Sequence, residues 1–188
     1  MDIIQEAKKF ALKEIEEFGL PTPIHFEISE KKAFELAEKL NANKTITLVG
    51  VYLMDVKLGE ASAQNRNPEH IKMSVEATKK FLGRFELDKE TKKKIINCVE
   101  AHHGQVPFIC KEAEICANAD CYRFIHPKGF FAFLTVLGKR NLKFNEVLNF
   151  AELKLDEKYK ILSLEICKEE LEKYYHQFKE FIKIVKEL

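Results

Sequence analysis

Six side chains that could bind a divalent metal ion lie in one stretch of this chain, between residues 25 and 120. They are His25, Asp55, His70, His102, His103 and Asp120. Imidazole and carboxylate groups are the usual protein ligands of catalytic zinc, iron and manganese. An ion held by such groups lowers the pKa of water to about 7, so that water becomes a nucleophile near neutral pH. The set is therefore a candidate metal centre.

The order and spacing of these residues resemble the HD superfamily of metal-dependent phosphohydrolases. The pattern of that family is a lone His, a later His-Asp pair and a final Asp. The interval from His25 to Met54-Asp55 looks like the first interval of the family, and the apolar run 49–53 leads into the pair in the same way. Asp120, which follows an alanine, is similar to the closing Ala-Asp element.

Branches of the family that hold a second metal ion add a His at the start of the next helix and a His or His-His before a Gly. His70 and the pair His102-His103, which precedes Gly104, are similar to these elements. The resemblance covers about residues 25–123. It implies one or two divalent ions, with Fe, Mn, Zn, Ni and Mg as the candidates, held by His25, Asp55, His70, His102, His103 and Asp120.

Met54 stands where the family has the histidine of its His-Asp pair. A thioether is a soft, weak ligand and does not replace imidazole for these ions. The first candidate site then keeps His25, Asp55 and Asp120, with a lower expected affinity. The second, Asp55 with His70 and the adjacent histidine pair, is complete. Two alternatives stay open: a hydrolase with an altered metal set, or a catalytically impaired protein that binds metal or nucleotide as a regulatory module.

The resemblance implies a phosphoester hydrolase that acts on a nucleotide or a related small phosphate. The candidate catalytic residues are Asp55, Lys57 and Glu60, with Glu60 as a general base. Cationic and amide side chains near the two aspartates are candidates for binding the substrate, although each could also be a solvated surface residue. They are Gln64, Arg66 and Arg123. A further alternative is a helical scaffold whose histidines share no function.

Apolar side chains recur at helical spacing along most of the chain, which predicts an all-α fold. The resemblance implies a single-domain helical bundle of the HD-domain type over residues 1–188. Its family-like core is expected at about 25–123, with C-terminal helices at 143–188 as an extension. The last long helix, predicted from about Ser163, is a candidate homodimer surface. The run Ile46–Met54 is predicted to be a buried helix, because no partner strand is evident.

Local signals predict where several elements begin and end. Ser29 and Asp88 are expected to cap helices, and residues 61–68 are expected to form a loop. The helix that carries Asp120 is predicted to break at Pro127 and Gly129. The aromatic stretch 130–134 is predicted to be buried.

The composition is that of an ordinary globular protein, with 46% hydrophobic and 32% charged residues and a net charge of +1. This charge gives no indication of binding to long nucleic acid. The N-terminus lacks the apolar core of a signal peptide, and no apolar run reaches the roughly 20 residues of a membrane span. Five cysteines without a CxxC pair are typical of a reducing cytoplasm.

Overall fold

A computed structural model describes residues 2–187, and over these residues the protein is all-α, as predicted. Ten α-helices and one short 3₁₀ turn follow one another without a strand in the described part of the chain. The helices are α1 (Ile3–Phe18), α2 (Pro23–Lys39), α3 (Lys44–Leu53), α4 (Leu58–Ala63), α5 (His70–Leu82), α6 (Lys89–Glu100), α7 (Lys111–Ile125), α8 (Pro127–Gly138), α9 (Phe144–Ile161) and α10 (Glu165–Lys186).

Helix α7 is the central element of the bundle. It contacts α2, α3, α6, α8, α9 and α10. Twelve of its fifteen residues are buried, among them Asp120 and Arg123. A helix surrounded on all sides buries its polar positions together with its apolar ones. Charged residues of α7 therefore lie inside the molecule, where they need partners.

Close helix crossings bring the functional side chains together. A Cβ added to Gly50 on α3 would lie 2.5 Å from Cβ of Cys98 on α6, so glycine permits the close contact of these helices. A Cβ added to Gly129 on α8 would lie 2.5 Å from the carbonyl oxygen of Arg123. Both positions exclude a side chain, and both fix the helices that flank the candidate site.

Several local predictions are confirmed. The run that was ambiguous between strand and helix forms α3 and is buried. Asp88 caps α6, and its carboxylate accepts a hydrogen bond from the backbone N–H of Thr91 at 2.8 Å. Helix α10 begins at Glu165, two residues after the predicted start.

Other local predictions are wrong. Thr22 rather than Ser29 caps α2, because Pro23 starts the helix about two turns earlier than the apolar pattern indicated. Residues 61–68 are only partly a loop, since α4 continues to Ala63 and a 3₁₀ turn begins at Asn67. Gly129 lies within α8 and ends no helix.

The aromatic stretch that opens α8 is only partly buried. Phe130 is 4% exposed, whereas Phe131 is 60% exposed, because α8 covers the core with one face only. Over residues 2–187, no helix is long and apolar enough to cross a membrane.

Candidate metal centre

Three histidines from two helix ends meet at one side of the bundle. His70 is the first residue of α5, and His102 and His103 lie in the turn just after α6. One potential ligand atom from each ring lies within 4.8 Å of the others. The side chain of His102 is fully buried, and those of His70 and His103 are 12% and 18% exposed.

Backbone carbonyls fix the orientation of two of these rings. Nδ1 of His70 lies 2.7 Å from the carbonyl oxygen of Asn67, and Nδ1 of His102 lies 2.6 Å from that of Val99. A carbonyl oxygen only accepts, so Nδ1 carries the proton in each ring. In the neutral ring Nε2 is then a free lone pair, which is the arrangement typical of metal-binding histidines.

Asp55 faces both of these lone pairs from the turn after α3. Its Oδ1 lies 3.4 Å from Nε2 of His102 and 3.6 Å from Nε2 of His70. Oδ1 of Asp55 and Nε2 of His102 are both buried, and neither has a hydrogen-bond partner. A buried polar atom without a partner is costly. A divalent cation between these atoms would satisfy them, so this donor set fits a metal ion.

His103 completes the cluster from the side that faces solvent. Burial lowers the pKa of its imidazole to about 2, so that the ring is neutral at physiological pH, as a metal ligand must be. Nδ1 of His103 lies 3.7 Å from Oε1 of Glu157 on α9, longer than a hydrogen bond. Glu157 is the nearest carboxylate that could orient this ring.

The opposite side of Asp55 is occupied by cationic side chains. Arg123 donates through one guanidinium nitrogen to Oδ2 of Asp55 and, at 2.7 Å, to Oδ1 of Asp120. Nζ of Lys158, on α9, lies 2.6 Å from Oδ2 of Asp120, an ion pair without the alignment of a hydrogen bond. Arg123 is 3% exposed and Lys158 is fully buried.

Asp55, Asp120, Arg123 and Lys158 form a second, buried cluster beside the histidines, and all four groups are ionised. Burial alone would raise the pKa of Asp55, but the Arg123 guanidinium holds it well below its usual range. Burial also opposes the charge on Asp120, yet Lys158 and Arg123 lower the pKa of that carboxyl. The pKa of Lys158 is raised above its ordinary value, because the attraction of Asp120 outweighs the effect of burial. The cluster thus holds two negative and two positive charges.

The first predicted donor set does not fit a metal ion in this arrangement. Nε2 of His25, on α2, is hydrogen-bonded to the carbonyl oxygen of Gly129 at 3.1 Å. Both oxygens of Asp120 face cations. Met54 is 2% exposed. The only oxygen of Asp55 that remains free is the one that faces the histidines.

A cavity of about 450 Å³ opens beside both clusters. Asp55, His70 and His103 lie on one wall, and Arg123 and Lys158 line its floor. Helices α7, α8 and α9 and the turn between α8 and α9 supply an apolar and cationic outer wall, which comprises Phe124, Phe133, Leu137, Arg140, Phe150, Leu153 and Lys154. The volume is in the range of sites for small ligands, about 300–1,000 Å³.

Known proteins resemble this chain in part. No protein-family model matches it. Ribonuclease Y of Finegoldia magna is 33% identical over 92 residues, which are 49% of this chain but only 16% of that protein. The crystal structure of a predicted HD superfamily hydrolase from an uncultured Thermotogales bacterium has a TM-score of 0.67 at 14% identity, and the match covers 96% of this chain and 90% of that one.

This chain has the HD-type fold. The resemblance inferred from the sequence is thereby confirmed at the level of the fold. Within the HD-type fold, the structure brings five of the six predicted metal ligands to the two connected clusters around Asp55. The sixth, His25, lies under the floor of the site and binds the backbone of α8.

Four residues predicted for catalysis or substrate binding lie elsewhere. Lys57 pairs with Glu14 and Glu60 at 2.7 and 2.8 Å, and both Lys57 and Glu60 line a separate cavity between α1 and α5. Arg66 lines the same separate cavity and pairs with Glu69. Gln64 is exposed and contacts Arg66. The chain turns away from the histidines after Asp55, so closeness in sequence does not bring these residues to the site.

Lys158 was not among the predicted site residues, although the sequence carries a signal for it. The buried residues of α9 are Leu148, Ala151, Leu155 and Lys158, at helical spacing on one stripe. A lysine that continues an apolar stripe is rarely buried unless it is paired. That position therefore indicates an internal anion, which the structure identifies as Asp120.

Proposed function

We propose that this protein is a metal-dependent phosphoester hydrolase whose divalent ion is held by Asp55, His70, His102 and His103. The observation that carries the proposal is the pair of buried, unpartnered atoms, Oδ1 of Asp55 and Nε2 of His102, 3.4 Å apart. A lone pair facing an ionised carboxylate at that distance is unfavourable without a cation or a proton between them. A metal ion supported by two further imidazoles meets that need.

The donor set favours some metals over others. Three imidazoles and one carboxylate suit Fe, Zn or Ni better than Mg, which prefers oxygen ligands and retains water. A bound ion of this kind activates water near neutral pH and polarises a phosphoryl oxygen. The fixed Nδ1–H bonds of His70 and His102 keep their rings oriented for this role.

The cavity supports a small phosphate as the substrate. Arg140 on its outer wall offers positive charge for a phosphate, and Lys154, which donates to Oε2 of Glu157 at 2.5 Å, adds a cation beside that carboxylate. Phe124, Phe133 and Phe150 offer ring faces on which a nucleobase can stack. The proposed substrate is therefore a nucleotide or a related phosphoester. The similarity to a protein named ribonuclease Y makes a ribonucleotide phosphodiester a candidate bond for cleavage.

Other residues that line the cavity have separate proposed roles. The two fixed cations, Arg123 and Lys158, line the floor of the cavity, where their positive charges would attract a bound phosphate. Glu157, beside His103, is the candidate proton acceptor in place of Glu60, because it lines the same cavity. Aromatic side chains on the outer wall exclude water from the bound ester.

The second candidate function is a regulatory module that binds metal or nucleotide without turnover. Met54 and the two internal cations favour it, because they remove the first donor set from metal binding. Such a module would bind metal or nucleotide but release no product, so turnover distinguishes the two candidates.

The test is a metal and activity screen on the full chain. Protein stripped with chelator is reloaded with Fe²⁺, Mn²⁺, Zn²⁺ or Ni²⁺ and assayed on nucleoside monophosphates, cyclic nucleotides and dinucleotides. Metal-dependent release of product that disappears in Asp55→Asn supports the hydrolase. Metal uptake without turnover on any of these substrates favours the regulatory module. No metal uptake by the reloaded protein would reject the hydrolase and leave only a module that binds nucleotide without metal.

A further inference from the structure

We propose that Arg123 and Lys158 take the place of one metal ion, so that the site works with one exchangeable ion and two fixed side-chain cations. This inference rests on the proposed function, since it concerns the ion count of the same site. It also assigns a role to Lys158, a residue outside the part of the chain that carries the sequence motif.

The contacts of Asp55 and Asp120 show how the two side-chain cations would replace a metal ion. Asp120 uses one oxygen for Arg123, at 2.7 Å, and the other for Lys158, at 2.6 Å. Asp55 is shared: Oδ2 binds Arg123, and Oδ1 faces the histidines. A bridging carboxylate between two metal ions would divide its oxygens in the same way, with one ion on each side.

The charges make a second ion unfavourable. Arg123 and Lys158 balance the charges of Asp55 and Asp120, which leaves these four groups with no net charge to attract a dication. The further carboxylate near Lys158, Glu157 at 3.5 Å, is partly exposed and is paired with Lys154. An ion inserted between Asp55 and Asp120 would lie within a few ångströms of a guanidinium and an ammonium, in a region that water does not screen. The remaining donor, His25, is already hydrogen-bonded to Gly129.

Arg123 and Lys158 each have N–H groups that the two aspartates do not use, which indicates a role beyond a structural ion pair. Nε of Arg123 is buried without a hydrogen-bond partner. Nζ of Lys158 faces Asp120 at 2.6 Å and Glu157 at 3.5 Å, which leaves one of its three N–H groups free, and both residues line the cavity. Buried cations that serve structure alone are expected to be satisfied by their surroundings. The unused donors fit oxygens of a phosphate that reaches the floor of the cavity, where a second metal ion would otherwise meet them.

The experiment is a Ni²⁺ titration of the metal-stripped full chain by calorimetry, together with melting temperatures. Wild type is expected to bind about one equivalent at the histidines. The double variant Arg123→Ala/Lys158→Met leaves Asp55 and Asp120 without cations. Breaking a buried pair is strongly destabilising, so the metal-free variant should melt roughly 10 °C lower. Ni²⁺ should restore much of that loss and bind as a second equivalent.

The control is Lys179→Met, which removes a lysine that also contacts two carboxylates, Glu152 and Asp156, but at the surface. It should change the melting temperature little, and Ni²⁺ should not stabilise it beyond wild type. Lys158→Met alone serves if the double variant does not fold, with a smaller loss and the same direction of rescue.

The outcomes separate this inference from the proposed function. Uptake of two equivalents by wild type would overturn the replacement and leave the hydrolase proposal standing. A folded double variant that gains no more stability from Ni²⁺ than wild type would do the same. No uptake by wild type would overturn the proposed function, and the replacement with it.

Discussion

Nε2 of His102 and Oδ1 of Asp55 face each other at 3.4 Å inside the protein, and neither has a hydrogen-bond partner. The other nitrogen of His102 is held by the carbonyl of Val99, and the other oxygen of Asp55 by Arg123. Both residues are thus anchored on their outer atoms and free on their inner atoms. This arrangement is preorganised for a cation, and the first two predictions depend on it.

Asp55→Asn should remove most of the bound metal. The substitution keeps the shape of the side chain but removes the charge that faces His70 and His102. Since loss of an outer partner of a metal ligand already costs 10–100-fold, Ni²⁺ affinity should fall by more than about 100-fold. Calorimetric titration measures it. Asp156→Asn, at the surface beside Lys179, is the matched control and should titrate as wild type.

His70 should matter far more than His25 for metal retention. His70→Ala removes a free Nε2 lone pair, whereas His25→Gln can still donate to the carbonyl of Gly129. We expect roughly 10–100-fold weaker Ni²⁺ binding for the first variant and an unchanged dissociation constant for the second. Equal losses in the two titrations would place the ion at the first donor set and contradict this assignment.

The sequence predicted the fold class and proposed the candidate metal ligands for different reasons. Helical periodicity is a local property, so α6 was found from its apolar spacing, whereas α3 was predicted as a helix because no partner strand was evident. The histidines were found from their order along the chain and its resemblance to a known pattern. Neither kind of signal shows where a side chain points. His25 fits the pattern, yet its ring turns to the backbone of α8.

Contacts between distant residues account for what the sequence did not predict. Arg123 was expected near the substrate from its place one turn after Asp120. Its bond to Asp55, which lies 68 residues earlier, depends on how α3 packs against α7. The position of Lys158 beside Asp120 depends on the packing of α9 against α7. Because α9 supplies this site residue, we propose that the C-terminal helices belong to the same domain as the rest of the chain.

Folding stability should fall as the pH drops from 7 to 5. Burial, with the nearby charge of Arg123, lowers the pKa of His25 from 6.5 to about 4. Between these values the unfolded chain binds a proton that the folded protein does not. The stabilisation is therefore present above pH 6.5 and is lost as the pH falls towards 4. His25 should contribute about 2 kcal/mol of this loss by pH 5.

Urea unfolding of the metal-free protein at pH 7 and pH 5 measures that contribution. His25→Gln should show a pH dependence smaller by about 2 kcal/mol, because glutamine does not titrate. His176→Gln, which replaces an exposed histidine on α10, is the control for removing a histidine elsewhere in the chain. Identical slopes in all three proteins would mean that His25 is protonated equally in the folded and unfolded states.

Met54→His alone should not create a second metal site, although it restores the histidine of the family pattern. The position is 2% exposed, so a polar ring there should cost about 1–3 kcal/mol of stability. Arg123 and Lys158 would still hold the carboxylates that a second ion needs. The stoichiometry of Ni²⁺ in the folded variant should therefore stay at the wild-type value.

Combining Met54→His with Arg123→Ala frees both Asp55 and one oxygen of Asp120, and this double variant should bind an additional equivalent. Calorimetric titration of the two variants measures the number of Ni²⁺ ions bound, and Arg123→Ala alone shows how much of any change comes from removing the guanidinium. An extra equivalent in Met54→His alone would show that the methionine, and not the cation pair, is what prevents binding at the first site.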